Sequence, residues 1–401
     1  MPAVNRTHVA TPLDHYGMQD KSTKLPFIVF SDDWGEHPSS CQHLFRQIAK
    51  EHEVLWVNTI GMRQPTLTWT DLGKAAQKVR KMLKYTNNSC ARIEDRTPTV
   101  CQPIMFPYIT LEVVRRFNQY SVTNTVRRAM RKAKLGRPYI VTTVPNACDY
   151  IGYLGERKVV YYCVDDFAEW PGLDKELVRE MEHSLIAKAD ILLATSSKLF
   201  DRLSEYGKPT YLLTHGVDVD LFSVEVSEEH RCLSGIQRPR VGYLGLFDQR
   251  SDQGLIAALA SRMKDCSFVV TGPVVVDVSA ISRFKNVHFT GAVPYEELPA
   301  VIRGLDVLCI PYVVNKLTTA ISPLKFKEYL ATGKQIVSTP IPEVKPDNTH
   351  VFAPTSVDEW DTVLRTCLSN RPANRRGWLH QDLAEESWEK KAQLFLDICC
   401  E

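Results

Sequence analysis

The sequence predicts an α/β protein made of two doubly wound parallel sheets, each covered by helices. Three observations carry this. Apolar, β-branched runs alternate with helical patterns along the chain, the alternation restarts near residue 240, and 401 residues exceed what one hydrophobic core usually supports. An apolar share of 44% and a charged share of 24% are those of an ordinary folded protein and exclude a disordered one.

Residues 1–25 are polar and lack the apolar segment of a secretory leader, so a tail is expected there. LPFIVF (25–30) reads as a buried strand, HPSSCQHLFRQIAKEH (37–52) as a helix and EVLWVN (53–58) as the next strand. Further strands are expected at 138–143, 158–164, 190–196 and 209–216, with a helix over 175–189. The second series has strands at 240–247, 267–273, 287–293, 306–312 and 335–340, separated by helices at 254–264, 295–305 and 323–333. The expected organisation is a first Rossmann-like domain over 26–221, a polar linker over 222–239 and a second Rossmann-like domain over 240–385. A final amphipathic helix over 386–401 is expected to cross back to the first domain.

Eleven cysteines, odd in number and without a CxxC pair, read as buried free thiols of a reducing compartment. No run approaches about 18 apolar residues, so no spanning helix is expected and the protein is read as cytoplasmic. The formal charge is only +2, yet Lys74 to Arg137 form a basic region opposed by Asp71, Glu94, Asp95 and Glu112 alone. The basic stretch from Arg127 to Arg137 lacks interleaved aromatics, which argues against nucleic acid. In TVRRAMRKAKLG and the residues just before it, Val122, Val126, Met130 and Ala133 fall on one stripe, with Arg127, Arg128, Arg131, Lys132 and Lys134 elsewhere. Two readings stay open for it: a helix on anionic membrane, or a core-facing helix with a solvated basic face.

No GxGxxG follows the first strand, and no Walker lysine motif, HExxH or GxSxG occurs, so a dehydrogenase is not expected. Open parallel sheets bind ligands beyond the carboxyl ends of their strands, which singles out the residues placed there. At the first strand these are Asp32, Asp33, Trp34, Glu36, His37, Ser39 and Ser40, where the serines either receive a ligand or cap the helix. Asp165 and Asp166 follow KVVYYCV; one is expected to take a proton from a hydroxyl, the favoured one being Asp165, and the other to cap the next turn. His215 and Gly216 open HGVDVDLF, and Gly242, Gly245 and Arg250 follow the restart, where backbone can approach a diphosphate. In PYVVNKLTTAISPLKFKEYLATGK, Lys325 and Glu328 lie three apart and share a helix face. Thr318, Thr319 and Ser322 lead into that helix N-terminus, Lys325 offers a cation to phosphate and Glu328 can accept ribose hydroxyls.

The ordered series HPSS, VYYCVDD, TSSKLF, HGVDVDLF, VPYEELP, IPY and SPLKFKEYLATGK resembles the GT-B glycosyltransferases of bacterial surface-polysaccharide assembly along most of 26–395. The xanthan glucuronosyltransferase and the teichuronic-acid transferases are the similar members. The resemblance implies two such domains facing across a cleft, with a UDP-sugar donor, transferring glucuronic acid or another hexose. It implies a saccharide acceptor, lipid-linked through a polyprenyl chain, at the inner face of the cytoplasmic membrane, and no metal or other cofactor. The donor side would be Gly245, Leu246, Arg250, Val293, Tyr312, Thr318, Ser322, Lys325 and Glu328; the acceptor side Asp33, His37, Ser39 and Ser40; and the catalytic group Asp165, Asp166 and His215. Many retaining members carry two glutamates eight positions apart; Glu328 fits the second, but the first falls on Ala320, which favours an inverting transfer with Asp165 as base. A retaining transferase of the same fold, a UDP-sugar epimerase and an inactive nucleotide-sugar-binding protein remain the alternatives.

Overall fold

The computed structural model describes residues 24–36, 39–61, 90–92, 97–107, 109–224, 226–370 and 383–401. The expected tail up to Thr23, the acceptor candidate His37 and the basic residues Lys74 to Lys84 and Arg96 lie outside the described residues. Two compact units emerge, Met1–Thr214 with Lys391–Glu401, and His215–Lys390.

The first unit contains β1 (Pro26–Ser31), α1 (Ser40–Ile48), β2 (Glu53–Asn58), β3 (Ala91–Arg92), β4 (Thr99–Cys101), α2 (Glu112–Ala133), β5 (Tyr139–Thr142), β6 (Lys158–Cys163), α3 (Lys175–Lys188), β7 (Ile191–Ala194), α4 (Ser197–Ser204) and β8 (Thr210–Leu212). Its strands run in the order β3-β4-β2-β1-β5-β6-β7-β8, parallel except for the β3–β4 pair. Strands buried on both faces explain why their sequences are continuous apolar runs rather than alternating ones. Helix starts follow side-chain chemistry: Ser39, Asp174 and Ser196 each accept a backbone N–H of the turn they open.

The expectation of buried free thiols fails at Cys400, which is exposed, at half-buried Cys232, and at one pair. Cys90 and Cys101 form a disulfide, with Cα atoms 4.2 Å apart. The antiparallel register pairs Ala91 with Val100, so the next positions outward, Cys90 and Cys101, face one another. This hairpin has only two- and three-residue strands, too short to show as a pattern in the sequence.

The second unit contains α5 (Val219–Ser223), β9 (Arg240–Leu244), α6 (Gln253–Arg262), β10 (Ser267–Thr271), α7 (Ser279–Ser282), β11 (Val287–Gly291), α8 (Leu298–Arg303), β12 (Val307–Ile310), α9 (Leu324–Ala331), β13 (Ile336–Ser338), β14 (Val351–Phe352) and α10 (Val357–Ser369). Its sheet is parallel, in the order β11-β10-β9-β12-β13-β14. Both sheets are therefore doubly wound: β1 lies between β2 and β5, and β9 between β10 and β12. The segment expected as a linker folds onto the second unit instead. His230 N–H donates to the Ala300 carbonyl at 3.0 Å, and the buried Arg240 guanidinium binds the Leu233 and Gly304 carbonyls and Glu229.

The last helix, α11 (Trp388–Cys400), belongs to both units in sequence. Its first turn lies in the second, where a Cβ on Gly216 would come within 2.7 Å of the Trp388 ring, so only glycine fits. From Lys391 onward it completes the first: Phe395 is fully buried, with its ring 6.0 Å from Phe27 and 5.5 Å from Phe45.

Candidate active site

In the second unit the chain reverses direction in the sheet at β9, and the residues beyond β9 and β12 converge there. Gly245 ends β9 at φ +110, and a Cβ on it would stand 3.3 Å from the Lys325 Nζ of α9. Gly272, after β10, has φ +143, and a Cβ there would fall 2.1 Å from the Gly245 carbonyl oxygen. Two glycines thus let three chain segments meet at one point. The Lys325 Nζ lies 3.7 Å from the centroid of the Tyr243 ring and 5.2 Å from that of Tyr312. Burial lowers the Lys325 ammonium below the usual lysine range, against the pull of Tyr312. Burial would raise the Tyr312 phenol, but Lys325 and Arg250 outweigh it and hold the group below its ordinary value.

Arg250 is fixed by a two-pronged pairing with Asp248 and lies 5.7 Å from the centre of the Tyr312 ring. Leu246 contributes its carbonyl, which accepts the Tyr243 hydroxyl at 2.7 Å. Glu328 is buried one turn beyond Lys325 and accepts the Tyr295 hydroxyl at 2.9 Å. Burial pushes its carboxyl up to about 7, against the Tyr295 hydrogen bond and the charge of Lys325. Val293, half-buried, lies on the loop between β11 and Tyr295. Ser322 is half-buried just before α9, whose N-terminus has no side-chain cap.

Thr318 departs from the expectation. It is fully buried, its hydroxyl accepts Asn315 N–H at 3.0 Å and donates to the Val313 carbonyl, and so it braces its own loop rather than offering a donor. HGVDVDLF also sits differently from its sequence reading as the end of the first half. His215 is buried in the second unit, with its carbonyl accepting the Lys327 ammonium at 2.6 Å, and Asp218 caps α5, which packs on α9. Phe222 of α5 meets the Tyr295 ring at 5.5 Å, so this run supports the Glu328 side of the site.

In the first unit, Asp165 is half-buried just past β6. Asp166 occupies the N-cap position of the next turn without capping it; its carboxylate pairs with Arg179 at 3.1 Å, which corrects the expectation of a cap. Its other oxygen, Oδ1, is buried with no hydrogen-bond partner among the described residues. Behind this pair lies a network absent from the sequence reading. Buried Glu182 accepts Arg202 at 2.6 and 2.9 Å, Arg179 at 3.3 Å and the Tyr161 hydroxyl at 2.8 Å. Burial alone would raise the Glu182 carboxyl; Arg202, Tyr161 and Arg179 together hold it below its usual range.

At the mouth of β1, Asp32 is the organising group. It accepts Ser31 at 2.7 Å, Ser39 at 3.2 Å and the Gln42 amide at 3.0 Å. Ser39 caps α1 and Ser40 is buried in its first turn, while Asp33 gives its carbonyl to Gln42. Tyr295, Tyr243, Gly272, Asp218 and Arg179 are the supporting residues that the sequence did not single out. The tyrosine in VPYEELP and the glycine closing SFVVTG were the available signals.

Residues 238–370 match the family described as glycosyl transferases group 1. A curated relative, TuaH of Bacillus subtilis, named as a glycosyltransferase of teichuronic acid biosynthesis, is 28% identical over 177 residues, 42% of this chain and 45% of its own length. The match therefore spans less than half of that relative. Two solved structures superimpose along nearly the whole chain. HepE of Anabaena, in complex with UDP and glucose, has a TM-score of 0.67 and 13% identity over 94% of this chain and 100% of its own. Sucrose-phosphate synthase of Thermosynechococcus elongatus has a TM-score of 0.68 and 16% identity over 94% of this chain and 100% of its own. The chain has the fold of the GT-B glycosyltransferases, and residues 238–370, within its second unit, match the group 1 glycosyl transferases.

Proposed function

We propose that the protein transfers a sugar from a UDP-sugar to a saccharide acceptor in glycan assembly, with inversion at the anomeric carbon. The observation that carries this reading is the meeting of Gly245, Lys325 and Glu328 at the reversal point of a group 1 domain. Such a point offers a close backbone approach, a cation and a carboxylate, which suit a diphosphate and a ribose. HepE was solved with UDP, which supports the choice of nucleotide.

In this reading Asp165 removes the proton of the acceptor hydroxyl as its oxygen attacks the anomeric carbon. The bond from that carbon to the diphosphate oxygen breaks, and its electron pair leaves with UDP. Lys325 and the N-terminus of α9 take up the charge that develops there, and no metal is assigned a part. Buried Ala320 stands where retaining relatives carry a glutamate, which supports inversion. The acceptor is proposed to be linked to a polyprenyl chain, with residues 115–134 against an anionic membrane.

Asp165→Asn keeps the shape and removes the basicity. Turnover should fall by about 10²–10⁴-fold while UDP affinity by calorimetry barely changes. A product of retained anomeric configuration by NMR would overturn the inverting assignment.

A further inference from the structure

Six of the exposed large apolar side chains among the described residues cluster in one place. Ile104, Phe106, Leu111, Val113, Phe117 and Tyr120 all lie on α2 or on the loop leading into it, with Leu111, Val113 and Tyr120 exposed by 56%, 80% and 71%. The loop is held rather than loose. Asn118, buried on the inner side of α2, bonds both the N–H and the carbonyl of Phe106 at 2.8 Å, and the Phe106 and Phe117 rings meet at 5.2 Å with their planes tilted by 50°.

The periodicity of α2 gives this patch a direction. Asn118, Val122, Thr125, Val126 and Ala129 are buried and mark the inner face. Val113, Phe117 and Tyr120 lie on the opposite face at helical spacing, and the same stripe continues through Arg127 and Arg131, flanked by Arg128. The outer face of this 22-residue helix therefore carries Val113, Phe117 and Tyr120 beside the exposed Arg116–Glu112 ion pair in its first half and is cationic in its second. Of the stripe expected from sequence, Val122 and Val126 are buried on the inner face, whereas Met130 is half-buried and Ala133 exposed. Apolar groups held in water beside a row of arginines fit a lipid surface, where each half meets its complement: acyl chains under the first, anionic headgroups under the second.

We propose that Ile104, Phe106, Leu111, Val113, Phe117 and Tyr120 insert into an anionic bilayer, with α2 lying flat and Arg127, Arg128 and Arg131 on the headgroups. This rests on the membrane contact proposed above and adds that the contact is inserted, through residues outside the basic cluster.

The full-length protein is mixed with vesicles of phosphatidylcholine alone or with phosphatidylglycerol and sedimented. Binding to the anionic vesicles is expected, with roughly tenfold or greater loss in the triple variant Val113→Ser, Phe117→Ser, Tyr120→Ser. Charge reversal at Arg128 and Arg131 should weaken binding in low salt, and part of the wild-type binding should survive high salt. UDP affinity, read separately by calorimetry, should be unchanged in every variant, so the donor reading stands or falls independently. Equal binding by the triple variant, with loss only on charge reversal, would overturn insertion and leave an electrostatic contact. No binding by the wild type overturns both membrane statements. In Tyr120→Trp, fluorescence emission should shift to the blue only when vesicles are added. Emission already blue-shifted in their absence would show the patch covered by protein, and light scattering would then identify a second copy as the cover.

Discussion

At Glu328 burial and the proposed ribose contact pull in opposite directions. Burial raises the carboxyl to about 7, from an ordinary value of 4.5, whereas accepting ribose hydroxyls requires the carboxylate. The folded state keeps this proton to higher pH than the unfolded state does. Stability contributed by the group therefore falls as pH rises from 4.5 towards about 7 and is constant above. Glu328→Gln should accordingly raise stability by roughly 1–3 kcal/mol at pH 8 and little at pH 4, read by thermal denaturation at both. In the wild type, UDP affinity should weaken as pH drops through the same window. Lys325→Ala should weaken UDP binding by about 1.5–3 kcal/mol, measured by calorimetry at constant salt. This pair was legible in the sequence because three-residue spacing within a helix is a local property. Tyr295, which holds the Glu328 carboxyl, was not legible as a partner, since it arrives from another strand's loop and only the folded sheet brings it near.

Among the elements, β6 with α3 and α4 forms a unit fixed by charge as well as by apolar packing. Glu182 reaches from α3 to Arg202 on α4 and to Tyr161 on β6, and Arg179 carries the network forward to Asp166. Glu182→Gln would leave Arg202 without its countercharge. It should cost about 3–5 kcal/mol in urea denaturation, towards the lower figure because both arginines are partly exposed. Strands such as Glu53–Asn58 could be read directly, because burial on both faces demands unbroken apolar runs. The short strands β3, β4 and β14, of two or three residues each, were not read from the sequence. The outer stripe of α2 was missed too. Which face of the helix is covered depends on packing, marked here by Asn118 pointing inward.

For the whole molecule, the restart of the strand–helix alternation near residue 240 announced a second sheet, but it held no information on which sheet the intervening chain would fold against. Residues 215–239 joined the second because Arg240 gathers their carbonyls and His230 pairs with Ala300. The last helix makes the first unit discontinuous in sequence. Phe395→Ala should destabilise that unit by about 3–5 kcal/mol, seen as a lower-melting transition, while UDP affinity of the second unit is retained. The order of synthesis gives this arrangement a further consequence. His215–Lys390 emerges from the ribosome as one uninterrupted stretch and can close its core as soon as it is made. The aromatic cluster around Phe27 and Phe45 must wait for Phe395, which is translated after the whole of His215–Lys390, so of the two units the one whose translation begins earlier is completed later.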